Sequence, residues 1–70
     1  MPSSVYKVIE IVGSSPDSWE KAAQAALEKA SKSLRDLRVA EVAQLDIHLD
    51  DKGKVAAYRT RLKVSFKFES

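Results

Sequence analysis

The chain has 70 residues, 44% of them hydrophobic, with 12 basic residues against 10 acidic and a net charge of +2. That length supports one core over residues 1–70, and burial of only roughly 60% of the unfolded surface leaves a lone subunit marginal unless a metal or association helps. The absence of Cys excludes disulfides, thiolate nucleophiles and cysteine metal sites, and so balanced a charge does not imply nucleic-acid binding by bulk electrostatics, leaving any such argument to the distribution of charge.

Met1 to Ser4 carries no basic and apolar leader pattern, and no run approaches the roughly 18 apolar residues needed to span a bilayer. A cytoplasmic protein with no membrane partner is expected. Val5 to Val12 is dense in β-branched residues and is followed by Gly13-Ser14-Ser15-Pro16, which predicts a first strand closed by a turn. Ser15 is expected to cap a helix opening at Pro16, with Asp17 and Glu20 near the positive end of its dipole. Trp19, Ala22, Ala23, Ala26, Leu27, Ala30, Leu34 and Leu37 follow helical spacing, so one amphipathic helix is expected to reach Leu37. Its mostly alanine stripe lets it lie very close to the sheet it covers.

Arg38 to Asp50 predicts a second strand whose phase changes midway. Ala40 and Val42 are even, whereas Leu45, Ile47 and Leu49 are odd, so a bulge near Ala43-Gln44 is needed to keep one apolar face. Asp51-Lys52-Gly53-Lys54 predicts a hairpin turn. Val55 to Phe68 then forms a third strand, with Tyr58, Leu62, Val64, Phe66 and Phe68 on one face and Arg59, Arg61, Lys63, Ser65 and Lys67 on the other. A turn centred on Lys52-Gly53 places Asp46 opposite Arg59 and Gln44 opposite Arg61. The expected fold class is α+β: a β-α-β-β unit in which a three-stranded antiparallel sheet packs on one long helix. Its polar second face and two open edges invite pairing with further copies of the chain.

The runs VYKVIEIVGSSPDSWEKAAQAAL, SLRDLR, AEV and YRTRLKVSFKFE, in this order and covering nearly the whole chain, resemble the dodecin family. The resemblance implies a β-α-β-β subunit assembling as a hollow homododecamer and, commonly, binding of flavins such as riboflavin or its phosphates. In flavin-binding members a Trp just before the AEV element stacks on the ring, and a Gln after the aromatic residue of the third strand bonds its edge. Val39 and Arg59 stand at those positions here. The flavin-pocket positions implied are therefore Val39, Gln44 and Arg59, without the stacking platform and with a donor-only guanidinium in place of an amide.

The remaining candidates come from the residues themselves. Asp46, His48 and Asp50 alternate onto one face of the second strand, with Asp51 adjacent. Together with Glu41 they furnish oxygen ligands for a hard cation, the expected metal-ligating set being Glu41, Asp46, Asp50 and Asp51. Ca²⁺ takes about six to eight oxygens, more than one short strand provides, so backbone carbonyls, water or a symmetry-related copy must contribute. The plainer reading pairs Asp46 with Arg59 and leaves the others solvated. His48 has no triad partner, and Gly13 and Gly53 lie too far apart for a phosphate loop, so no catalytic residue is expected. Trp19 reads as a core or contact anchor, and Ser14 and Ser15 as helix-capping residues. Arg59, Arg61, Lys63 and Lys67 form a basic stripe without interleaved aromatics, better suited to ion pairs between subunits with Glu10, Glu41 or Glu69 than to nucleic acid. The leading expectation is thus a non-catalytic dodecameric shell that binds or stores a small ligand, favouring a divalent cation such as calcium because Val39 replaces the stacking Trp. Flavin sequestration is the alternative, followed by a structural or nucleic-acid-associating assembly.

Overall fold

The computed structural model describes residues 3–67. Four elements follow in chain order: β1 (Tyr6–Ser15), α1 (Trp19–Ser33), β2 (Leu37–Leu49) and β3 (Val55–Lys67). The sheet runs β1-β3-β2 and both pairings are antiparallel. The last strand is therefore central, and Thr60, Leu62 and Val64 on it are buried because neighbours flank both edges and α1 lies above.

The end of β1 corrects the first boundary. Gly13, Ser14 and Ser15 pair with Thr60, Arg59 and Tyr58, so the sheet holds them extended and the helix cannot begin at Pro16. Ser15 does not cap α1; its Oγ accepts the Asp17 N–H at 3.0 Å, making a local turn. The N-cap is Ser18, extended at φ −167°, whose Oγ accepts the Lys21 N–H at 3.0 Å. At the other end α1 stops at Ser33 rather than reaching Leu37. Leu34 is extended, Asp36 adopts φ 59°, and Leu37 pairs with Phe66 as the first residue of β2. Asp tolerates the left-handed conformation better than most residues, which lets the chain reverse in three positions.

Why α1 carries alanines becomes plain at Gly13. A Cβ on Gly13 would collide with the Ala22 carbonyl oxygen and stand 2.9 Å from Ala26 Cβ, so helix and strand meet backbone to backbone. Ala22 is fully buried at this crossing. The hairpin between β2 and β3 turns at Gly53, with φ 76°, and Asp50 Oδ1 accepts the N–H groups of Lys52 at 2.8 Å and Lys54 at 2.9 Å.

The bulge falls where the phase change requires it. Pairing shifts between Val42 and Gln44, so Ala40, Val42, Leu45 and Ile47 all stand opposite the helix-side residues Val64, Leu62, Thr60 and Tyr58. Yet α1 packs on β1 and β3, and Val42, Leu45, Ile47 and Leu49 remain 41% to 55% exposed. An apolar groove of about 250 Å³ runs between this uncovered stripe and the helix start, lined by Trp19, Ala23, Val42, Leu45 and Thr60. The chain measures 56 × 20 × 15 Å, and its radius of gyration of 14.6 Å exceeds the roughly 11 Å of a compact domain this long. No helix among the described residues is long and apolar enough to cross a membrane.

Candidate functional site: the charged face of the sheet

The face of the sheet turned away from α1 is organised in rungs across three strands. Ser14, Arg59 and Asp46 form one rung; Val12, Arg61 and Gln44 the next; Glu10, Lys63 and Glu41 a third; Val8, Ser65 and Val39 a fourth. The sequence pattern thus placed Asp46 against Arg59 and Gln44 against Arg61, as the structure has them. Antiparallel pairing brings opposite residues onto the same face, so each cation of β3 stands between β1 and β2 side chains.

Asp46 and Arg59 make the tightest of these contacts. Arg59 Nε donates to Asp46 Oδ1 at 2.7 Å and Nη2 donates to Oδ2 at 2.9 Å, a bidentate pair of side chains 45% and 34% exposed. The Arg59 hydrogen bonds hold the Asp46 carboxyl below its ordinary value; slight burial opposes this, and the charges of Arg59, Arg61 and His48 reinforce it. Asp46 in turn raises Arg59. Arg61 donates from Nη1 to Glu10 Oε1 at 3.4 Å. This corrects the expectation that Glu10 serves ion pairs between subunits: β1 lies beside β3, so the partner is in the same chain. Glu69 and Phe68 lie outside the described residues.

Asp46 is also gripped from the opposite face. Trp19 Nε1 donates to the Asp46 carbonyl oxygen at 3.0 Å, and the indole meets Tyr58 edge-on at 5.1 Å between ring centres. Thr60, fully buried, donates from Oγ1 to the Trp19 carbonyl at 2.9 Å. Trp19 therefore clasps β2 and β3 at the Asp46–Arg59 rung. Its anchoring role was legible from the helix pattern, but its partner was not, because a bond across 27 residues leaves no local signal.

The other candidate ligands are spread out. Glu41 pairs at Lys63 and Asp46 at Arg59, four residues along β3, which at about 3.3 Å per residue is roughly 13 Å. Asp50 sits at the hairpin with one carboxylate oxygen engaged by two N–H groups, and Asp51 is exposed beside it. Among the described residues no three His, Asp or Glu side chains of one chain gather around a common point. The flavin-pocket positions are separated likewise. Gln44 lies one rung from Arg59, but Val39, 62% exposed, stands at Ser65, six residues from Arg59 along β3, or roughly 20 Å. Neither set converges within one chain.

The Asp46–Arg59 pair sets a pH dependence. Because the folded-state value is depressed, the carboxylate contributes to stability above its unfolded value of 3.8 and that contribution is lost as pH falls through the folded value. Carbon-detected NMR titration of Asp46 should give a midpoint below 3.8 in the native chain and a return toward 3.8 in Arg59→Gln. A native midpoint at or above 3.8 would contradict the pairing.

The structure is thus a small α+β subunit of β-α-β-β order, with one helix on one face of an antiparallel sheet, alternating charges on the other and an uncovered apolar edge. The dodecin family model matches residues 5–69, and the chain belongs to the dodecin family. Calcium dodecin of Mycobacterium tuberculosis is 53% identical over 64 residues, covering 91% of this chain and 89% of that protein. Dodecin of Thermus thermophilus is 42% identical over 65 residues, covering 93% of each. Among solved structures, dodecin from Streptomyces coelicolor superposes with a TM-score of 0.91 at 38% identity, covering 100% of this chain and 99% of that one. The crystal structure of M. tuberculosis calcium dodecin, which has a novel calcium-binding site, superposes with a TM-score of 0.83 at 52% identity, covering 94% and 93%.

Proposed function

We propose that this chain forms a hollow homododecamer in the cytoplasm that binds and stores calcium, without catalysis. The observation carrying this reading is an open sheet face that presents Glu41 and Asp46, with Asp50 and Asp51 at its end, and has Val39 where a flavin platform would stand. Hard oxygen donors suit Ca²⁺, and the carboxylates of one copy, spread along the face, fall short of the about six to eight oxygens it takes, so neighbouring copies and water complete the set. The 53% identity to a protein named calcium dodecin supports the choice of ion. The elongated shape and the uncovered stripe on β2 support assembly.

Native mass spectrometry of gently purified protein tests both parts. A dodecamer carrying extra mass in multiples of calcium is the expected result. Multiples of a flavin mass would overturn the choice of ligand, and a monomer would overturn the assembly. Flavin sequestration is favoured by one observation, the placement of Gln44 and Arg59 on adjacent rungs of the same face. Arg59, however, already gives its Nε and one Nη2 donor to Asp46, and no aromatic ring stands at position 39.

A further inference from the structure

We propose that Trp19 is a positioning residue for the charged face: it holds residues 44–48 of β2 one step out of line with the rest of the ladder, so that Gln44, Asp46 and His48 stand on that face in place of Leu45 and Ile47. The inference goes beyond the choice of ligand, since it concerns which side chains the face has to offer. The step is visible in the pairing. Val42 opposes Leu62 and Leu49 opposes Val55, and a straight ladder from the first pair arrives at the second. Between them Gln44 pairs with Arg61, Asp46 with Arg59 and His48 with Ala57, each displaced by one residue, and Ala43 of β2 and Ala56 of β3 have no ladder partner. A straight ladder needs neither extra residue, so the step is held against an alternative with fewer interruptions. That alternative puts Gln44 opposite Thr60, Leu45 opposite Arg59 and Asp46 opposite Tyr58, which exchanges the two faces over this stretch.

Burial within one chain holds the step only weakly, because Leu45 and Ile47 stay 48% and 41% exposed in the displaced register. The Asp46–Arg59 pair lies in solvent, where ion pairs add little. Trp19 is tied at both ends. Its carbonyl accepts the Thr60 hydroxyl on β3 at 2.9 Å, and its indole Nε1 donates to the Asp46 carbonyl on β2 at 3.0 Å. Thr60 is fully buried and Trp19 is the first residue of α1, so the β3 end does not give. The ring also rests edge-on against Tyr58, the partner of Ile47. The side chain therefore spans a fixed interval from position 60 of one strand to position 46 of the other. Moving Asp46 from opposite Arg59 to opposite Tyr58 carries its carbonyl about 3.3 Å along the ladder, which takes it out of hydrogen-bond reach of the indole.

Engineered cysteine pairs read the register directly, because the chain has no cysteine of its own. His48→Cys with Ala57→Cys marks the displaced rung, and Ile47→Cys with Ala57→Cys marks the straight one, since only side chains facing each other can be bridged. Each pair is equilibrated in a glutathione redox buffer in the full-length protein, and denaturing intact-mass spectrometry separates bridges within a chain from those between chains. With Trp19 present the 48–57 bridge should form and the 47–57 bridge should be scarce. Trp19→Phe, which keeps a ring but loses the N–H, should raise the ratio of 47–57 to 48–57 bridging about three- to tenfold, the worth of one hydrogen bond. Thr60→Val, which frees the other end, should act in the same direction and carries the test if the Phe variant does not fold, whereas Thr60→Ser should match the native chain. An unchanged ratio in both Trp19→Phe and Thr60→Val, or an equal rise of both bridges, would overturn the inference, the second outcome by showing a general loosening. The calcium reading is untouched by either result, because no ligand enters the measurement.

Discussion

Gly13→Ala is expected to be among the most damaging single substitutions in the chain, costing about 3 kcal/mol or more. The added methyl would enter the space of the Ala22 carbonyl oxygen, and backbone cannot step aside as a flexible side chain can. Helix and strand would have to separate along the seam that buries Ala22, Leu62 and Val64, the core of the described residues. A chain of this size has a total stability of about 4–10 kcal/mol, so thermal denaturation should show a melting temperature lower by at least about 10 °C. Gly53→Ala supplies the contrast. That glycine has φ 76° and open space around it, so the strain is conformational and about 1 kcal/mol is expected. Equal melting shifts for the two variants would mean that the close approach at Gly13 is not what requires glycine there.

Leu45→Lys should abolish the large species. In the isolated chain Leu45 is 48% exposed, and a lysine at such a position ordinarily changes stability by no more than about 0.5 kcal/mol. If copies of the chain cover the β2 stripe, the same lysine would place an unpaired ammonium inside an apolar contact, a cost of several kcal/mol repeated in every subunit. Size-exclusion chromatography with light scattering separates the two cases. Loss of the assembly is expected, and an unchanged dodecamer would show that subunits meet elsewhere.

What could be read from the residues followed the reach of each physical signal. The alternation of apolar positions in β2 revealed the bulge, because a missing residue of phase has no other remedy in a strand with one apolar face. From the hairpin turn the Asp46–Arg59 and Gln44–Arg61 rungs then followed by counting. The helix boundaries did not. Ser15-Pro16 is a sound local start signal, yet pairing with β3 outweighed it and moved the cap to Ser18. Leu37 fitted the helical spacing but is drawn into β2 opposite Phe66. Local propensity yields where long-range ladder bonds are available. Gly13 was read as a turn residue, while its role is to let α1 approach, a requirement visible only with the helix in place. The candidate site was legible as a set of residues on one face but not as a geometry. Asp46 and Arg59 touch, but Glu41 stands about 13 Å and Val39 about 20 Å from that rung along the strand, distances that no local pattern in the sequence encodes.

The 56 Å length of so small a chain bears on how it behaves when diluted. If copies cover the exposed apolar stripe of β2, the subunit gains its remaining stability from neighbours, and folding and association share one free energy. Newly made chains at low concentration then sit near the threshold of unfolding, and each added partner raises the resistance of those already joined. Durability would then become a property of abundance, because association holds the chain out of its cleavable unfolded state.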